Sequence, residues 1–324
     1  RDNMKNIMII GAGQLGSRHL QGALLSEYAL NITVIDPSKN SLQVAESRAA
    51  EVKYGNNETK INFSQSIESD LQVDICIIAT TANVRFQVFK ELVSTCTVNN
   101  IIFEKVLFQT EKEYEDTEAL LTLKNIKAWV NCPRRIFPTY QKIQQLLSIE
   151  TEISMDMVGS NWGMACNSIH YIDLFSFITN STDISIDFSQ LNKEVTPSKR
   201  GGYYEVNGII KGQDSKGQTF KLVCFESDKI ESLVVIASEH FKVTIKETGG
   251  EFIIEENGQV LVTDYHPLFQ SQLTHKNLEE IIETSNSSLT NFRDSSRLHI
   301  PFISGIKQHI ELALGKSLSC CPIT

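Results

Sequence analysis

The chain has 324 residues, which favours two domains over one because a single hydrophobic core rarely serves more than about 300 residues. Hydrophobic residues make up 41% of the chain, and its formal net charge is -9. This acidic balance argues against nucleic acid or an anionic membrane surface as the main partner, since both bind basic patches. A small phosphorylated substrate needs only a few local Arg or Lys side chains and is not excluded.

The seven cysteines are scattered and include no Cys-x-x-Cys pair. The sequence therefore predicts neither a disulfide framework nor a zinc site, and we expect no metal. The first residues lead into a strand pattern without a signal peptide, and no apolar run is long enough to span a bilayer. We expect a cytoplasmic protein without a membrane partner.

Strand and helix patterns alternate along the first part of the chain. Strands are predicted at 6–10, 32–36, 61–63, 73–79, 100–104 and 128–131. Helices are predicted at 15–28, 41–52, 84–94 and 111–123. This βαβ order with short connections predicts an α/β fold whose N-terminal Rossmann domain, residues 1–125, has a doubly wound parallel sheet.

The pattern changes in the second part of the chain, which we take as residues 126–324. A helix is predicted at 140–147, and two helices at 272–285 and 296–315 close the chain. Between them the strand patterns are separated by turn signals, at 152–158, 184–189, 204–211, 218–225, 232–237, 241–247, 251–255 and 259–264. We expect an α+β domain with an open, largely antiparallel sheet.

The turn after the first strand reads Gly11-Ala12-Gly13-Gln14-Leu15-Gly16 and opens a predicted helix. The first glycine allows a tight turn, the second lets the backbone approach a pyrophosphate, and the third lets helix and strand pack closely. Helix N-terminal N–H groups then favour the anion. We predict that Gly11, Gly13, Gln14, Leu15 and Gly16 bind a dinucleotide; the alternative is a glycine turn that binds nothing.

Asp36 ends the second predicted strand, 20 residues after Gly16. A carboxylate there accepts hydrogen bonds from adenosine ribose hydroxyls and repels a 2′-phosphate, so NAD is favoured over NADP. The alternative is a solvated acidic turn residue. Ser38 and Lys39 lie close enough in sequence to accept a phosphate instead.

Three segments besides the glycine turn resemble the Gfo/Idh/MocA oxidoreductase family. They are Ile78–Asn83, Phe103–Leu107 and Cys166–Leu174, which match the end of that family's fourth strand, its Glu-Lys-Pro motif and its Asp-x-Gly-x-His-x-x-Asp-Leu segment. The resemblance covers essentially the whole chain. This sequence departs from the family pattern at Thr81, Arg85, Val106, Cys166 and Ser168, where the family commonly has Pro, His, Pro, Asp and Gly.

The resemblance implies further contacts to the cofactor at the carboxyl ends of the fourth and fifth strands, from Ala79, Thr80, Thr81, Asn83, Glu104 and Lys105. It also implies that Lys105 exchanges the proton of a substrate hydroxyl and that His170 shares this task. Asp173 lies one helical turn from His170 and would orient its imidazole. The alternatives are a surface Lys105 paired with Glu104 and a structural His170.

Cys166 stands where the resemblance implies an Asp that binds substrate and supports the Lys. A thiol is a poor hydrogen-bond partner. Either Asn167 supplies the polar contact, or Lys105 and His170 act alone, or the chemistry has been lost. A thiol nucleophile beside His170 is also conceivable, although nothing else in the sequence suggests acyl transfer.

The remaining candidate substrate residues follow the sixth strand or precede the His segment. They are Asn131, Arg134, Arg135 and Trp162, besides Cys166 and Asn167. Arg134 or Arg135 could clamp a carboxylate or phosphate with two hydrogen bonds, or lie in a solvated turn. Trp162 could form an apolar wall against a sugar ring, or belong to the core.

The sequence therefore predicts an NAD-dependent oxidoreductase acting on a carbinol of a sugar, sugar acid or nucleotide-linked sugar. By resemblance it forms a homodimer or homotetramer through the second sheet, and the closing segment 292–301 is similar to that of family members in polysaccharide gene sets. One alternative is a non-catalytic dinucleotide sensor or scaffold, motivated by Cys166 and Ser168. Another is an enzyme that retains NAD for internal redox recycling, as in epimerisation or eliminative cleavage.

Overall fold

A computed structural model describes residues 4–227 and 229–324. The elements up to residue 131 are, in chain order, β1 (Lys5–Ile10), α1 (Gln14–Ala23), β2 (Leu30–Ile35), α2 (Lys39–Ala50), β3 (Lys60–Ser64), β4 (Gln72–Ile78), α3 (Ala82–Thr95), β5 (Thr97–Glu104), α4 (Glu111–Leu123) and β6 (Lys127–Asn131). Every strand and helix predicted for this part is present, with ends shifted by a few residues.

The rest of the chain begins with a 3-10 turn at Pro133–Ile136. The elements that follow are α5 (Pro138–Leu147), β7 (Ser154–Ser160), α6 (Met164–Thr179), β8 (Ile184–Asp187), β9 (Thr196–Pro197), β10 (Tyr204–Glu205), β11 (Gly208–Asp214), β12 (Thr219–Phe225), β13 (Leu233–Ala237), β14 (Phe241–Lys246), β15 (Glu251–Glu256), β16 (Gln259–Asp264), α7 (Gln270–Thr284), β17 (Thr290–Asn291) and α8 (Phe292–Leu314).

The first sheet has the strand order β17-β6-β5-β4-β1-β2-β3. All its pairings are parallel except that of β17 with β6. The apolar run Ile7–Ile10 is at most 4% exposed, as expected for a central parallel strand covered on both faces. The strand order reverses between β1 and β4, and in such sheets ligands bind beyond the carboxyl ends of the strands at that point. The predicted doubly wound parallel sheet is confirmed.

The second sheet has the strand order β16-β15-β14-β13-β7-β12-β11-β8 and is antiparallel apart from the β7–β12 pair. This confirms the predicted open, largely antiparallel sheet. The pattern at 204–211 predicted one strand, but β10 and β11 are separate. Gly208 at the break has φ +114°, and a Cβ there would lie 2.7 Å from the backbone nitrogen of Asn192.

The chain forms two compact units, and their bounds differ from the expected division at residue 125. The first unit runs to Phe108 and includes Lys112–Asn131 and Leu268–Phe292; the second contains Gln109–Glu111, Cys132–Pro267 and the chain from Arg293. Residues 126–131 belong to the first unit because β6 extends its sheet. α7 belongs there because it packs on α1 so closely that a Cβ on Gly22 would lie 2.8 Å from the Gln270 carbonyl oxygen.

Three structural absences concern metals, disulfides and membrane spans. Within residues 4–227 and 229–324, no group of three or more His, Cys, Asp or Glu side chains is arranged to hold a metal ion. The seven cysteines, all within those ranges, are free thiols. No helix in the described part of the chain has the length and apolar character needed to cross a bilayer.

Candidate functional site

The glycine turn between β1 and α1 has the geometry that its three glycines predict. Gly11 has φ +97°, and a Cβ there would lie 2.9 Å from the carbonyl of Ala79 at the end of β4. A Cβ on Gly16 would lie 1.7 Å from the Gly11 oxygen, so no side chain fits between helix and strand. A Cβ on Gly13 would meet no protein atom within 4 Å. The first and third glycines are therefore required by packing, whereas the second leaves open space above the turn.

α1 begins at this turn without a capping side chain and without an acidic residue in its first turn. Its N-terminal dipole is therefore not neutralised by a carboxylate of its own first turn, which favours an anion there. Leu15 is half-buried, and Gln14 is exposed. Arg48 of α2 donates to the Gln14 Oε1 at 2.8 Å and to the Ser17 Oγ at 2.6 Å, so it anchors this turn from outside.

Asp36 lies beside the turn, half-buried at the end of β2. One of its carboxylate oxygens accepts a hydrogen bond from the Ala12 N–H at 2.8 Å, and the other accepts from the Ser38 N–H at 2.8 Å. Ser38 caps α2 by accepting from the Ser41 N–H at 3.2 Å. The bonds from Ala12 and Ser38 hold the carboxylate of Asp36 in a fixed position next to the glycine turn.

The end of β4 lies next to the turn and leads into α3. Ala79 bonds to β1 through its N–H, and the Thr81 hydroxyl lies 2.7 Å from the Asn83 Oδ1 at the start of α3. The Oγ1 of Thr80 is buried and has no hydrogen-bond partner among the described residues. This edge therefore carries a buried hydroxyl that a ligand can satisfy.

Arg85, which stands where the resembling family commonly has His, is 1% exposed. Its guanidinium donates to the carbonyl oxygens of Val106 at 2.5 Å and Leu107 at 2.7 Å, and to that of Thr80. It thereby joins the end of β4 to the segment after β5. Lys105 lies at the start of that segment, half-buried, and its peptide bond to Val106 is cis.

Glu104, predicted as a cofactor contact, is 3% exposed at the end of β5. Its Oε1 accepts from the Asn131 Nδ2 at 2.7 Å and lies 2.7 Å from the His19 Nε2. The carboxylate is thus engaged by α1 and β6 rather than by a lysine at the surface. Asn131, predicted as a substrate contact, is 2% exposed.

In the second unit, α6 carries His170 half-buried and Asp173 1% exposed. The predicted helix and the i, i+3 spacing of these residues are present. The Asp173 Oδ2 accepts from the Arg135 Nε at 2.9 Å, and the Arg135 Nη2 donates to the Asp173 carbonyl oxygen at 3.1 Å. Asp173 therefore anchors Arg135 through the Nε and Nη2 groups of its guanidinium.

Arg134 is likewise bound by the protein itself. It donates from Nε and Nη2 to the two carboxylate oxygens of Glu247, both at 2.9 Å, and from Nη2 to the Tyr171 hydroxyl. Tyr140 and Tyr171 donate to the same carboxylate at 2.5 and 3.0 Å. The side chains of Arg134 and Arg135 are 19% exposed or less, so they do not form a solvated turn. We call Arg134, Glu247, Tyr140 and Tyr171 the Glu247 cluster.

Burial alone would raise the pKa of Glu247, but the charge of Arg134 and hydrogen bonds from Arg134, Tyr140 and Tyr171 outweigh it and lower that pKa from 4.5. Burial and the neighbouring Glu247 charge raise the pKa of Tyr140 well above its ordinary value. The cluster therefore holds one carboxylate and one guanidinium as ions, with two neutral phenols donating between them.

The segment that opens α6 contains the remaining predicted substrate residues. Trp162 donates its Nε1–H to the Val223 carbonyl at 2.9 Å and packs edge-on against Tyr171. Asn167 donates to the Trp162 carbonyl at 2.7 Å, and the Cys166 thiol donates to the Gly163 carbonyl at 3.4 Å. These contacts define the turn before the helix and leave Trp162 half-buried.

Glu205, which the sequence did not single out, reaches the start of α6 from β10. Its carboxylate accepts from the backbone N–H groups of Ala165 at 2.5 Å and Cys166 at 3.3 Å. A carboxylate thus lies beside the position where the resembling family has Asp, but it comes from a residue about 40 positions further along the chain. No local sequence signal could have identified it, since β10 is only two residues long.

The structure gathers the predicted residues into two groups. The first unit brings the cofactor candidates and Asn131 to one edge of its sheet: Gly11, Gly13, Gln14, Leu15, Gly16, Asp36, Ala79, Thr80, Thr81, Asn83, Glu104 and Lys105. The second unit places its candidates on or near α6: Arg134, Arg135, Trp162, Cys166, Asn167, His170 and Asp173. Sequence reasoning missed His19, Arg48, Glu205 and Glu247, which act through contacts between distant elements.

Searches with protein-family models and with curated protein sequences gave no match. Solved structures do match. An oxidoreductase from Agrobacterium radiobacter, in complex with NAD+, L-tartaric acid and magnesium, gives a TM-score of 0.70 at 12% identity, covering 93% of this chain and 94% of that one. UDP-N-acetylglucosamine 3-dehydrogenase GnnA from Acidithiobacillus ferrooxidans gives a TM-score of 0.66 at 13% identity, and the match covers 97% of this chain and 98% of that one. The dehydrogenase MviM from Clostridium difficile gives a TM-score of 0.65 at 16% identity, and the match covers 92% of this chain and 96% of that one. The chain therefore has the fold of these oxidoreductases.

Proposed function

We propose that this protein is an NAD-dependent oxidoreductase that exchanges hydride with a carbinol carbon of a sugar, sugar acid or nucleotide-linked sugar. The observation that carries the proposal is the turn at residues 11–16, where Gly13 leaves open space at the uncapped start of α1. NAD+ bound to one structurally similar oxidoreductase, and the sugar-nucleotide chemistry of another, support the choice of cofactor and substrate class.

The residues of the first unit fit a dinucleotide. A pyrophosphate over Gly13 would receive N–H groups of the first turn of α1, and Asp36 on the β2 side would accept from ribose hydroxyls. The buried Thr80 hydroxyl would gain a partner on the β4 side. When bound, the nicotinamide supplies the carbon that accepts or donates hydride.

The proposed proton chemistry belongs to Lys105 and His170. Lys105 follows β5 at the carboxyl edge of the sheet, and Arg85 holds the backbone immediately after it. In this proposal Lys105 exchanges the proton of the substrate hydroxyl, and His170 hydrogen-bonds that hydroxyl. Asp173 anchors Arg135 on the second unit, and in this proposal it also orients the imidazole of His170 from one helical turn away.

The proposal also covers the oligomeric state of the protein and the cellular compartment in which it works. Val260, Leu261 and Val262 of the edge strand β16 are 53–60% exposed, which supports a homodimer or homotetramer through the second sheet. The free thiols support a reducing cytoplasm as the setting. A part in surface-polysaccharide sugar synthesis rests on the similarity of the closing segment alone.

Replacing Gly13 with Ala tests the cofactor site. Because a Cβ there meets no protein atom but faces the proposed pyrophosphate, we expect NADH affinity to fall at least about tenfold, roughly 1.4 kcal/mol, with the melting temperature unchanged. NADH fluorescence titration and thermal denaturation measure the two effects. Gly201→Ala is the matched control, since its Cβ also meets nothing within 4 Å. Equal NADH binding by the Gly13 and Gly201 variants would refute the proposed site.

Replacing Asp36 with Asn tests the preference for NAD. Removing the negative charge should ease the approach of a 2′-phosphate, so the ratio of NADPH to NADH affinity should rise about tenfold. Titration of both nucleotides measures this ratio. Glu46→Gln removes the same charge from an exposed position on α2 and should leave the ratio unchanged. A ratio that stays constant in the Asp36 variant would show that this carboxylate does not face the ribose.

A further inference from the structure

A buried polar cluster lies at the carboxyl ends of β5 and β6 in the first unit. Glu104 and Asn131 are register partners at these ends, and His19 of α1 and Gln270 of α7 contact them. The His19 ring is held on its other side by Thr274, whose Oγ1 lies 2.9 Å from its Nδ1. His19, Glu104 and Asn131 are each 3% exposed or less. These side chains are therefore held in place by contacts with the protein.

The contacts fix the orientation of the Asn131 amide. Its Nδ2 donates to the Glu104 Oε1 at 2.7 Å and to the Gln270 Oε1 at 2.8 Å, which uses both of its hydrogens. The Gln270 amide is oriented in turn by Thr274: its Nε2 donates to the Thr274 Oγ1 at 2.9 Å, and the single Thr274 hydroxyl proton is donated to the Gln270 backbone carbonyl at 3.2 Å. The Asn131 Oδ1 is consequently an acceptor in a set position, and it has no hydrogen-bond partner among the described residues.

Buried acceptors in native proteins are nearly always satisfied, so this oxygen points to a donor that the protein does not supply. The strand order indicates which part of a bound dinucleotide would lie next to the Asn131 Oδ1. If Asp36 on β2 receives the adenosine ribose and the pyrophosphate lies over β1, the other half of a dinucleotide extends towards β4, β5 and β6. Thr80 lies at the end of β4 and Asn131 at the end of β6, along that direction. Each has a buried side-chain oxygen without a hydrogen-bond partner among the described residues.

We propose that the Asn131 Oδ1 accepts a hydrogen bond from the carboxamide –NH2 of a bound nicotinamide ring, and that Glu104 and Gln270 are positioning residues that fix the Asn131 amide. This rests on the proposed function, since it assigns one end of the same cofactor. It changes the roles expected from the sequence: Asn131 contacts cofactor rather than substrate, and Glu104 acts through Asn131. The acceptor beside a buried carboxylate also requires a hydrogen-bond donor and disfavours an anion at this position.

The test compares three nucleotides on the full chain by isothermal titration. NAD+ carries the carboxamide, nicotinic acid adenine dinucleotide carries a carboxylate in its place, and ADP-ribose lacks the ring. We expect the unaltered protein to bind NAD+ at least about tenfold more tightly than the nicotinic acid analogue. In Asn131→Ala, NAD+ affinity should fall about tenfold, as for one lost hydrogen bond, and the discrimination should disappear while ADP-ribose affinity is retained.

Asn100→Ala is the matched control, since Asn100 donates to the Asp74 carbonyl at 2.9 Å within the same sheet but away from its carboxyl edge. It should bind all three nucleotides like the unaltered protein. Gln270→Leu removes one acceptor that orients the Asn131 amide and should lower NAD+ affinity in the same direction but less, which provides a second measurement if Asn131→Ala fails to fold.

The outcomes separate this inference from the proposed function. Unchanged NAD+ affinity in Asn131→Ala overturns the inference alone, and so does an equal loss of ADP-ribose affinity, which would reveal a merely structural role. Failure of the unaltered chain to bind either NAD+ or ADP-ribose overturns the inference together with the proposed function.

Discussion

Glu247→Ala is expected to destabilise the second unit by about 3–5 kcal/mol, because it leaves the buried Arg134 guanidinium without its counter-ion. Two tyrosine hydroxyls would lose their acceptor in the same step. For a unit of this size such a loss corresponds to a melting temperature lower by roughly 10 °C. Differential scanning calorimetry or thermal denaturation followed by circular dichroism measures it.

Two further variants distinguish the lost ion pair from a general loss of packing. Glu251→Ala breaks the Lys246–Glu251 pair at 3.0 Å on the same sheet, but both side chains are at least 33% exposed, so we expect no measurable change in melting temperature. Combining Glu247→Ala with Arg134→Met should recover part of the loss, since no charge then stays buried without a partner. A double variant as unstable as Glu247→Ala alone would contradict this account.

The same cluster predicts a dependence of stability on pH. The pKa of Glu247 is lowered in the folded protein, so the stability that this carboxylate contributes is present above its ordinary pKa of 4.5 and is lost as the pH falls through the folded value. We expect the difference in melting temperature between the unaltered protein and Glu247→Ala to shrink as the pH is lowered below 4.5. A difference that stays constant on acidification would show that the carboxylate is not ionised in the fold.

The fold could be predicted from the sequence because its signals are local. The run Ile7–Ile10 before a glycine turn, and the alternation in Lys242–Lys246, are patterns that hydrophobic burial imposes within a single strand. The return of α7 to the first unit could not be predicted in this way. It depends on the missing side chain of Gly22 and on the contact between His19 and Thr274, residues 255 positions apart.

The candidate site likewise contains residues whose geometry the local sequence predicts and residues whose contacts it does not predict. Gly11, Gly16 and Asp36 act within one βαβ unit, so their spacing predicted their geometry. Arg134 and Arg135 were expected either to clamp a ligand anion or to lie in a solvated turn, because a sequence does not reveal which distant carboxylates lie beside a cation. Glu247 is 113 residues from Arg134, and Asp173 is 38 residues from Arg135. Long-range pairing thus makes both arginines supports for α6 and the second sheet, a role that the sequence did not predict.

Lys105→Ala is expected to lower turnover by about a thousandfold if this lysine exchanges the hydroxyl proton, within the range that general acid–base groups contribute. NADH affinity should fall far less than turnover, because the proposed pyrophosphate and adenosine ribose contacts come from other residues. The assay follows NADH with a panel of aldoses, aldonic acids, inositols and UDP-linked sugars. Lys112→Ala is the control, since Lys112 is 79% exposed and pairs with Asp116 at 3.0 Å.

Each other outcome selects a different function for the same fold. Turnover that survives Lys105→Ala would assign the proton to His170 or to a group not yet considered. A dinucleotide sensor would be favoured if NADH binds tightly, no compound is turned over, and Lys105→Ala leaves NADH binding unchanged. In that case the replacement of the family's Asp by Cys166 would accompany a loss of catalytic activity. Product formed without net change in NADH would indicate internal redox recycling. In that case Lys105→Ala should still stop product formation, because each hydride-transfer half-reaction needs the lysine to exchange the substrate hydroxyl proton.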